Sequence, residues 1–312
     1  MTGSHEVVYD LSQVSNRRPT FLAIGAFDGV HRGHQHLLQQ LAAAARAAEA
    51  RPAVLTFFPH PSAVISGPRG RFYISTLAER MDLLAEQGME LVIAHPFNDA
   101  VRHTRAADFM EQLRQSLDLR QLWGGQFALG YNREGDVPFL RRLGEEKGFT
   151  VEVVEAMVEW DGRPVSSSRV RRSLAAGDVA DVNGCLGRPF RLAGEVVKGD
   201  GRGRQIGVPT ANLRLWPERA LPANGVYATY AWVGDQRFMA ATNVGVRPTV
   251  DGHHQTVEAH LLDFDNDLYG QELKLDFVAR IRDEQKFTSL SALVEQIRAD
   301  VGRVRDLLQK GK

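Results

Sequence analysis

The chain has 312 residues, 43% hydrophobic and 24% charged, which is ordinary globular usage and excludes wholesale disorder. Its 38 basic residues balance 38 acidic ones, which argues against a globally basic nucleic-acid binder. No apolar run reaches about 18 residues, the N-terminus lacks the pattern of a signal peptide, and the single Cys185 excludes an intramolecular disulfide framework. A soluble cytoplasmic protein of about two domains is expected, with no membrane or nucleic-acid partner. Of the 38 basic residues, 32 are Arg; genomic base composition accounts for most of that bias, and position alone can mark the arginines that meet phosphate.

The first half alternates apolar runs with amphipathic stretches. Thr20–Ile24 reads as a strand, Gly33–Ala50 as a helix and Ala53–Phe58 as a buried strand ending at Pro59. Thr76–Gln87 reads as a helix, with Leu77, Met81 and Leu84 on one face, a Thr76/Glu79 capping box and Gly88 as its stop. Leu91–Ala94 is a strand, Ala106–Leu117 and Val137–Lys147 are helices, Val151–Val154 is a strand and Ser167–Ala176 a short helix. This order means βαβ units and a parallel sheet. After residue 184 or so the texture becomes period-2, in Arg191–Val197, Val226–Val233, Arg237–Val244, Thr256–Phe264 and Glu272–Ile281. These segments predict a small antiparallel barrel. A final helix carries Leu290, Leu293, Val294, Ile297, Val301, Val304 and Leu308 on one face. The expected division is 1–184 and 185–312.

Two constellations carry chemistry. The first is strand–GAFDGVHRGH–helix at 25–34. A helix N-terminus beyond a parallel strand favours phosphate. His31 and His34, spaced i, i+3, share a face from which they could stabilise developing charge. Asp28 could hold the turn or orient a histidine. Two blander readings stand beside the phosphate site: a plain glycine turn, and a two-histidine metal site that lacks an obvious third ligand. His60, in TFFPHP, is a loop or ligand histidine. Ser166–Arg171 opens a helix with hydroxyls and arginines, either as a cap or as a triphosphate contact.

The second is GDGRGRQIGVPTAN at 199–212. Its glycines and its Arg202 and Arg204 suit a loop closing over phosphates, or a flexible surface hairpin. Thr210 and Asn212 supply hard oxygen ligands. In TVEAHLLDF, alternation puts Thr256, Glu258 and His260 on one face and Val257, Ala259 and Leu261 on the other. Glu258 is then either a general base or a solvated rim residue.

G-x-F-D-G-V-H-x-G-H resembles the H-x-G-H nucleotidyltransferases, and more narrowly the adenylyltransferase half of the bacterial bifunctional riboflavin kinase/FMN adenylyltransferases. SSSRVR matches that family's S-S-T-x-x-R motif, with Ser168 in place of Thr. GGQFALG departs from its usual G-x-(Asn/Asp)-F-x-F-G, with Gln126 and Leu129 at the differing positions. From Gly187 to Lys286 the chain resembles riboflavin kinases through PTAN, ANGVYA, NVGVRPT, VEAHLLDF, DLYG and RDEQKF. The resemblance implies a Rossmann-like nucleotidyltransferase α/β domain followed by a small antiparallel β-barrel with a terminal helix. It also implies riboflavin, FMN and ATP as substrates, with Mg²⁺. His31 and His34 would stabilise adenylyl transfer, and Glu258 would activate the riboflavin hydroxyl. Thr210 and Asn212 would hold the metal with ATP. Ligand contacts would come from Gly25, Phe27, Asp28, Gly33, His60, Gln126, Ser167, Ser168 and Arg171. In the second half they would come from Gly199, Gly201, Gly203, Gly207, Asn243 and Arg247. Tyr227, Phe264, Tyr269 and Phe287 are aromatics available to a flavin or to the core. Gln126 keeps open a kinase with a weakened adenylyltransferase, and a non-catalytic flavin-nucleotide-binding regulator is the reading from another class.

Overall fold

The structure is a computed structural model. It describes residues 5–67, 70–154, 158–199, 203, 207–249 and 252–310, without the side chains of 247–249 and 252–254. The chain divides into two compact units, Met1–Val165 and Ser166–Lys312.

The first unit is built on a six-stranded parallel sheet. Its strands are β1 (Glu6–Val8), β2 (Pro19–Gly25), β3 (Arg51–Phe58), β4 (Leu91–Pro96), β5 (Asp118–Gly124) and β6 (Thr150–Val153), in the order β1-β4-β3-β2-β5-β6. The helices are α1 (Arg32–Ala47), α2 (Pro61–Ser66), α3 (Leu77–Ala85), α4 (Asp99–His103), α5 (Ala106–Ser116) and α6 (Val137–Lys147). Strand alternation sorts the core into two layers. Ala23, Val54 and Val92 point to one side, where Leu38, Leu41 and Ala45 of α1 and Met81 and Leu84 of α3 cover them. Leu22, Leu55 and Ile93 point to the other, against Phe109, Met110 and Leu113 of α5 and Leu140 of α6. Both faces are therefore buried, which is why these strands read as continuous apolar runs.

From β2 the chain moves outward through β3 and β4, then crosses back to β5 on the other side of β2. The carboxyl ends of β2 and β5 thus flank the topological switch point, where open α/β sheets bind ligands. β1, β5 and α2 were not among the elements read from the sequence. A hairpin, β7 (Glu159–Trp160) and β8 (Arg163–Pro164), ends this unit.

The second unit opens with α7 (Ser167–Ala176) and α8 (Val179–Leu186). A closed barrel follows, made of β9 (Phe190–Val197), β10 (Ala211–Arg214), β11 (Gly225–Val233), β12 (Gln236–Thr249), β13 (Gly252–Leu261) and β14 (Glu272–Arg282). All its pairings are antiparallel, in the order β10-β13-β12-β11-β14-β9. Tyr227, Leu275, Phe277, Val257 and Ala259 are fully buried or nearly so.

The compact units part at 165/166, whereas the texture of the sequence changes near 184. The difference is α7 and α8, which are tied to barrel residues. The Asn183 amide donates to Phe277 O at 2.8 Å and accepts from Phe190 N–H at 2.8 Å. Ala223 N–H donates to Leu174 O at 2.9 Å. Within the pair of helices, the buried Arg169 guanidinium is paired with Asp181. The last helix, α9 (Leu290–Gln309), packs Val304 and Leu308 on Ala228 and Leu262. Leu290, expected on its apolar face, is 63% exposed. Asp300 is buried instead, paired with Arg282 at 2.8 Å.

Candidate active sites

At the end of β2 the chain turns sharply before α1. Phe27 (φ 46°), Gly29 (φ 80°) and Val30 (φ 39°) all have positive φ. For a β-branched valine this conformation is costly and must be imposed by its surroundings. Asp28 is 1% exposed. Its carboxylate accepts from the N–H groups of Ile74 and Ser75 and from Ser75 Oγ, each at 3.1 Å, and pairs with Arg80 at 3.4 Å. Arg80 is fully buried and donates to Ala26 O at 2.9 Å. Asp28 thus holds the turn, one of the two roles open to it in the sequence. Arg80 escaped the sequence reading, although a signal was present: it stands at i+3 of the Leu77–Met81–Leu84 stripe, where a lone cation must be paired.

His31 caps α1, its Nδ1 accepting from the His34 N–H at 3.4 Å. An accepting Nδ1 leaves Nε2 as the ring's N–H donor. The two imidazoles stack at 3.6 Å with an 18° interplanar angle, and Phe27 meets His34 edge-on at 5.0 Å. A Cβ on Gly33 would lie 3.3 Å from the His31 ring, so the glycine leaves room for that ring against the first turn. Burial, then the neighbouring His31 and Arg80, push the His34 pKa well below its ordinary value. The structure thus brings Gly25, Phe27, His31, Gly33 and His34 together.

His60 caps α2, accepting from Ser62 N–H at 3.1 Å, and its ring meets Phe72 edge-on at 5.1 Å. Gln126 is exposed just beyond β5, while Phe127 folds back over Gly124. Beside these ends opens a cavity of about 440 Å³, lined by Phe57, Phe97, Phe109, Leu129 and Tyr131 among others. The sequence reading missed this cavity. Its walls come from four separated segments, and only the exposed Ile65 and Tyr131 at its rim hint at an unfilled apolar surface. Ser167, half-buried Arg171 and exposed Ser168 lie on the first turns of α7, in the second unit, with Ser166 as the cap.

In the barrel, three neighbouring strands align Asn212, Glu258 and Asn243 in one row. Residues paired across antiparallel strands share a face. Val257 and Ala259 point inward and are buried, so the row lies on the outer surface. Thr210 Oγ1 reaches Glu258 Oε2 at 3.5 Å. A Cβ on Gly199 would lie 2.7 Å from the Asn212 carboxamide carbon, and one on Gly203 would lie 3.3 Å from Thr210 Oγ1. The glycine loop therefore rests directly on this row. A Cβ on Gly207 (φ 75°) would meet nothing within 4 Å among the described residues. Gly201, Arg202, Arg204 and the Arg247 side chain lie outside the described residues.

A second cavity, of about 210 Å³, is lined by Pro209, Thr210, Ala211, Phe264, Leu268 and Tyr269 among others. Tyr227, by contrast, is core: fully buried, edge-on to Phe277 at 5.3 Å, with its hydroxyl donating to Ala223 O. Glu284 belongs to the RDEQKF segment. Its carboxylate crowds Gly245 beside Asn243 and accepts from Asn224 at 3.4 Å.

A parallel sheet with a stacked-histidine turn at its switch point, joined to a closed barrel bearing a threonine–asparagine–glutamate row, defines a two-site enzyme of nucleotide chemistry. The FAD synthetase family model matches residues 13–169, and the riboflavin kinase model matches 186–308. A bifunctional riboflavin kinase/FMN adenylyltransferase of Pseudomonas fluorescens is 40% identical over 91% of each chain. The protein of that name from Escherichia coli K12 is 37% identical over 94% of each. The crystal structure of a macrolide-efflux protein from Streptococcus pneumoniae superposes with a TM-score of 0.88 at 29% identity, covering 96% of this chain and 98% of that one. The chain belongs to the bifunctional riboflavin kinase/FMN adenylyltransferase family. Among the described residues no helix is long and apolar enough to cross a membrane.

Proposed function

We propose that the family's two activities are divided between the two sites, residues 1–184 serving adenylyl transfer and 185–312 phosphorylation. The observation that carries this division is the Asn212–Glu258–Asn243 row: a carboxylate set between two amides, under a glycine loop, within reach of a threonine hydroxyl.

In the kinase step, Glu258 accepts the proton of the riboflavin 5′-hydroxyl as that oxygen attacks the γ-phosphorus of ATP. The γ-phosphorus–oxygen bond breaks, and ADP leaves as FMN forms. Thr210 and Asn212 would hold Mg²⁺ with the nucleotide; a hydroxyl and an amide oxygen beside a carboxylate suit a hard cation that arrives with phosphates. When bound, the cation offsets polyphosphate charge. The cavity bordered by Thr210 and Tyr269 supports a place for the nucleotide beside this row.

In the adenylyl step, a phosphate oxygen of FMN attacks the α-phosphorus of a second ATP, and pyrophosphate leaves. His31 and His34 donate to the phosphate oxygens as charge shifts onto them. The α1 N-terminus turns the positive end of its dipole to the same site. The aromatic-walled cavity beside Phe57 and Tyr131 suits the flat ring system of a flavin. Both steps are placed in the cytoplasm, in keeping with the lone buried thiol of Cys185.

The deciding experiment incubates the protein with riboflavin and MgATP and separates the flavins by chromatography. FMN and FAD should both form. Glu258→Ala should lose FMN formation yet still convert supplied FMN to FAD. His31→Ala with His34→Ala should do the reverse. A folded variant of either kind that loses both activities would refute the division.

A further inference from the structure

Arg32 stands between the two histidines and opens α1. Among the described residues it pairs with no carboxylate; its guanidinium instead lies over the Trp160 ring, 4.9 Å from the centroid. Trp160 is carried by a hairpin pairing Glu159 with Pro164 and Trp160 with Arg163. The two turn residues, Asp161 (φ 53°) and Gly162 (φ 66°), both have positive φ, as a tight two-residue hairpin turn requires. All six hairpin residues are exposed. An isolated two-stranded hairpin of this kind has little stability of its own, so contacts made by its side chains matter to where it sits. Its one carboxylate near an arginine, Asp161, faces Arg163 at 4.0 Å and leaves Arg32 uncompensated.

A guanidinium held over an aromatic face sheds part of its hydration and can still present N–H donors to an anion. It is also already ordered, so it loses less rotamer freedom when the anion arrives. Here that cation sits at the positive end of α1, next to His31.

We propose that Trp160 is a positioning residue for adenylyl transfer: its ring holds the Arg32 guanidinium at the α1 N-terminus, poised for the triphosphate of ATP. The proposal rests on the assignment of His31 and His34 to that reaction. Its consequence is specific. Trp160 acts on the nucleotide through Arg32, and it acts on binding rather than on the chemical step.

The test is a double-mutant cycle on the full chain, with FMN and MgATP as substrates: wild type, Trp160→Ala, Arg32→Ala and the double variant. Trp160→Ala should raise the KM for ATP about two- to fivefold with kcat nearly unchanged, in line with a partly exposed cation–π contact. Trp160→Phe should restore most of the loss. Arg32→Ala should raise KM at least as much, and the double variant should match Arg32→Ala alone. Additive effects in the cycle, an unaltered KM in Trp160→Ala, or a fall in kcat without a change in KM each overturn the proposal. Wild-type protein that forms no FAD overturns the site assignment and the proposal with it. Wild type that forms FAD at the same KM as Trp160→Ala overturns the proposal alone.

Discussion

Gly199→Ala separates function from folding at the barrel site. A Cβ at Gly199 would stand 2.7 Å from the Asn212 carboxamide carbon and 2.9 Å from its Oδ1, where ordinary contact begins near 3.4 Å. The clash falls on the end of a side chain, with Nδ2 nearest, so the backbone can stay in place while the carboxamide retreats by about 1 Å. Stability should fall by only about 1 kcal/mol, the low end for overpacking. Catalysis should suffer far more, because Asn212 lies in register with Glu258 and a misplacement near 1 Å costs roughly a hundredfold where geometry is limiting. Riboflavin phosphorylation, followed by chromatography of FMN, should drop about ten- to a hundredfold. Conversion of supplied FMN to FAD should stay within about twofold, because no residue of the other site is touched. A variant that phosphorylates riboflavin at the wild-type rate would show that Asn212 need not occupy this position, and the reasoning would fail.

Three further outcomes follow from the histidine turn. Gly33→Ala should press on the His31 ring at 3.3 Å and lower FAD formation from FMN several-fold, leaving FMN formation intact; equal loss of both activities would point to general misfolding instead. Arg80→Met should strand the buried Asp28 carboxylate and cost about 3 kcal/mol, read as a lower denaturation midpoint of the first unit; an unchanged midpoint would show that the pair does not hold the turn. His34 is held neutral, its folded pKa lying below the 6.5 of the unfolded chain. Its contribution to stability is therefore complete above pH 6.5 and is lost as pH falls towards the folded value, because the unfolded chain then binds the extra proton. His34→Gln should flatten the acid side of the denaturation profile, and wild-type and variant curves that run parallel from neutral pH downward would refute the assignment.

Much of the architecture was legible because burial on both faces writes itself as apolar runs. Leu91–Ala94 and Ala53–Phe58 were read as strands for that reason, and they lie at the heart of the sheet. β1 and β10 are three and four residues long, too short to show a period. β5 carries Arg120 and Gln121 at its middle, which break its apolar run. In the barrel, alternation placed Glu258 on the outer face correctly, but only strand register shows that Asn212 and Asn243 flank it. Register is a long-range property: Asn212 and Glu258 are far apart in the chain, and no local signal links them. The same holds for Asp28 and Arg80, whose pairing needed α3 to return against the first turn. Asp28 had two roles open to it in the sequence because a carboxylate beside glycines in a turn is chemically ambiguous until its partners are known.

The glycines that marked both motifs also gain a more definite reason. A glycine-rich stretch is usually read as flexibility or as a need for positive φ. At Gly33 and Gly199 neither is the governing feature. What matters is that a side chain occupies the volume a Cβ would take: the His31 ring in one case and the Asn212 carboxamide in the other. Gly245, against Glu284 and Asn243, repeats the arrangement on the barrel, whereas at Gly203 the Val208 backbone oxygen lies nearest. Packing a polar side chain onto bare backbone helps to fix its position. A side chain held still in this way lowers the ordering cost when the nucleotide binds. On two unrelated scaffolds, a parallel sheet and a barrel, the same device serves the same need. It also explains why such glycines track the site residues in the sequence more closely than they track the turns.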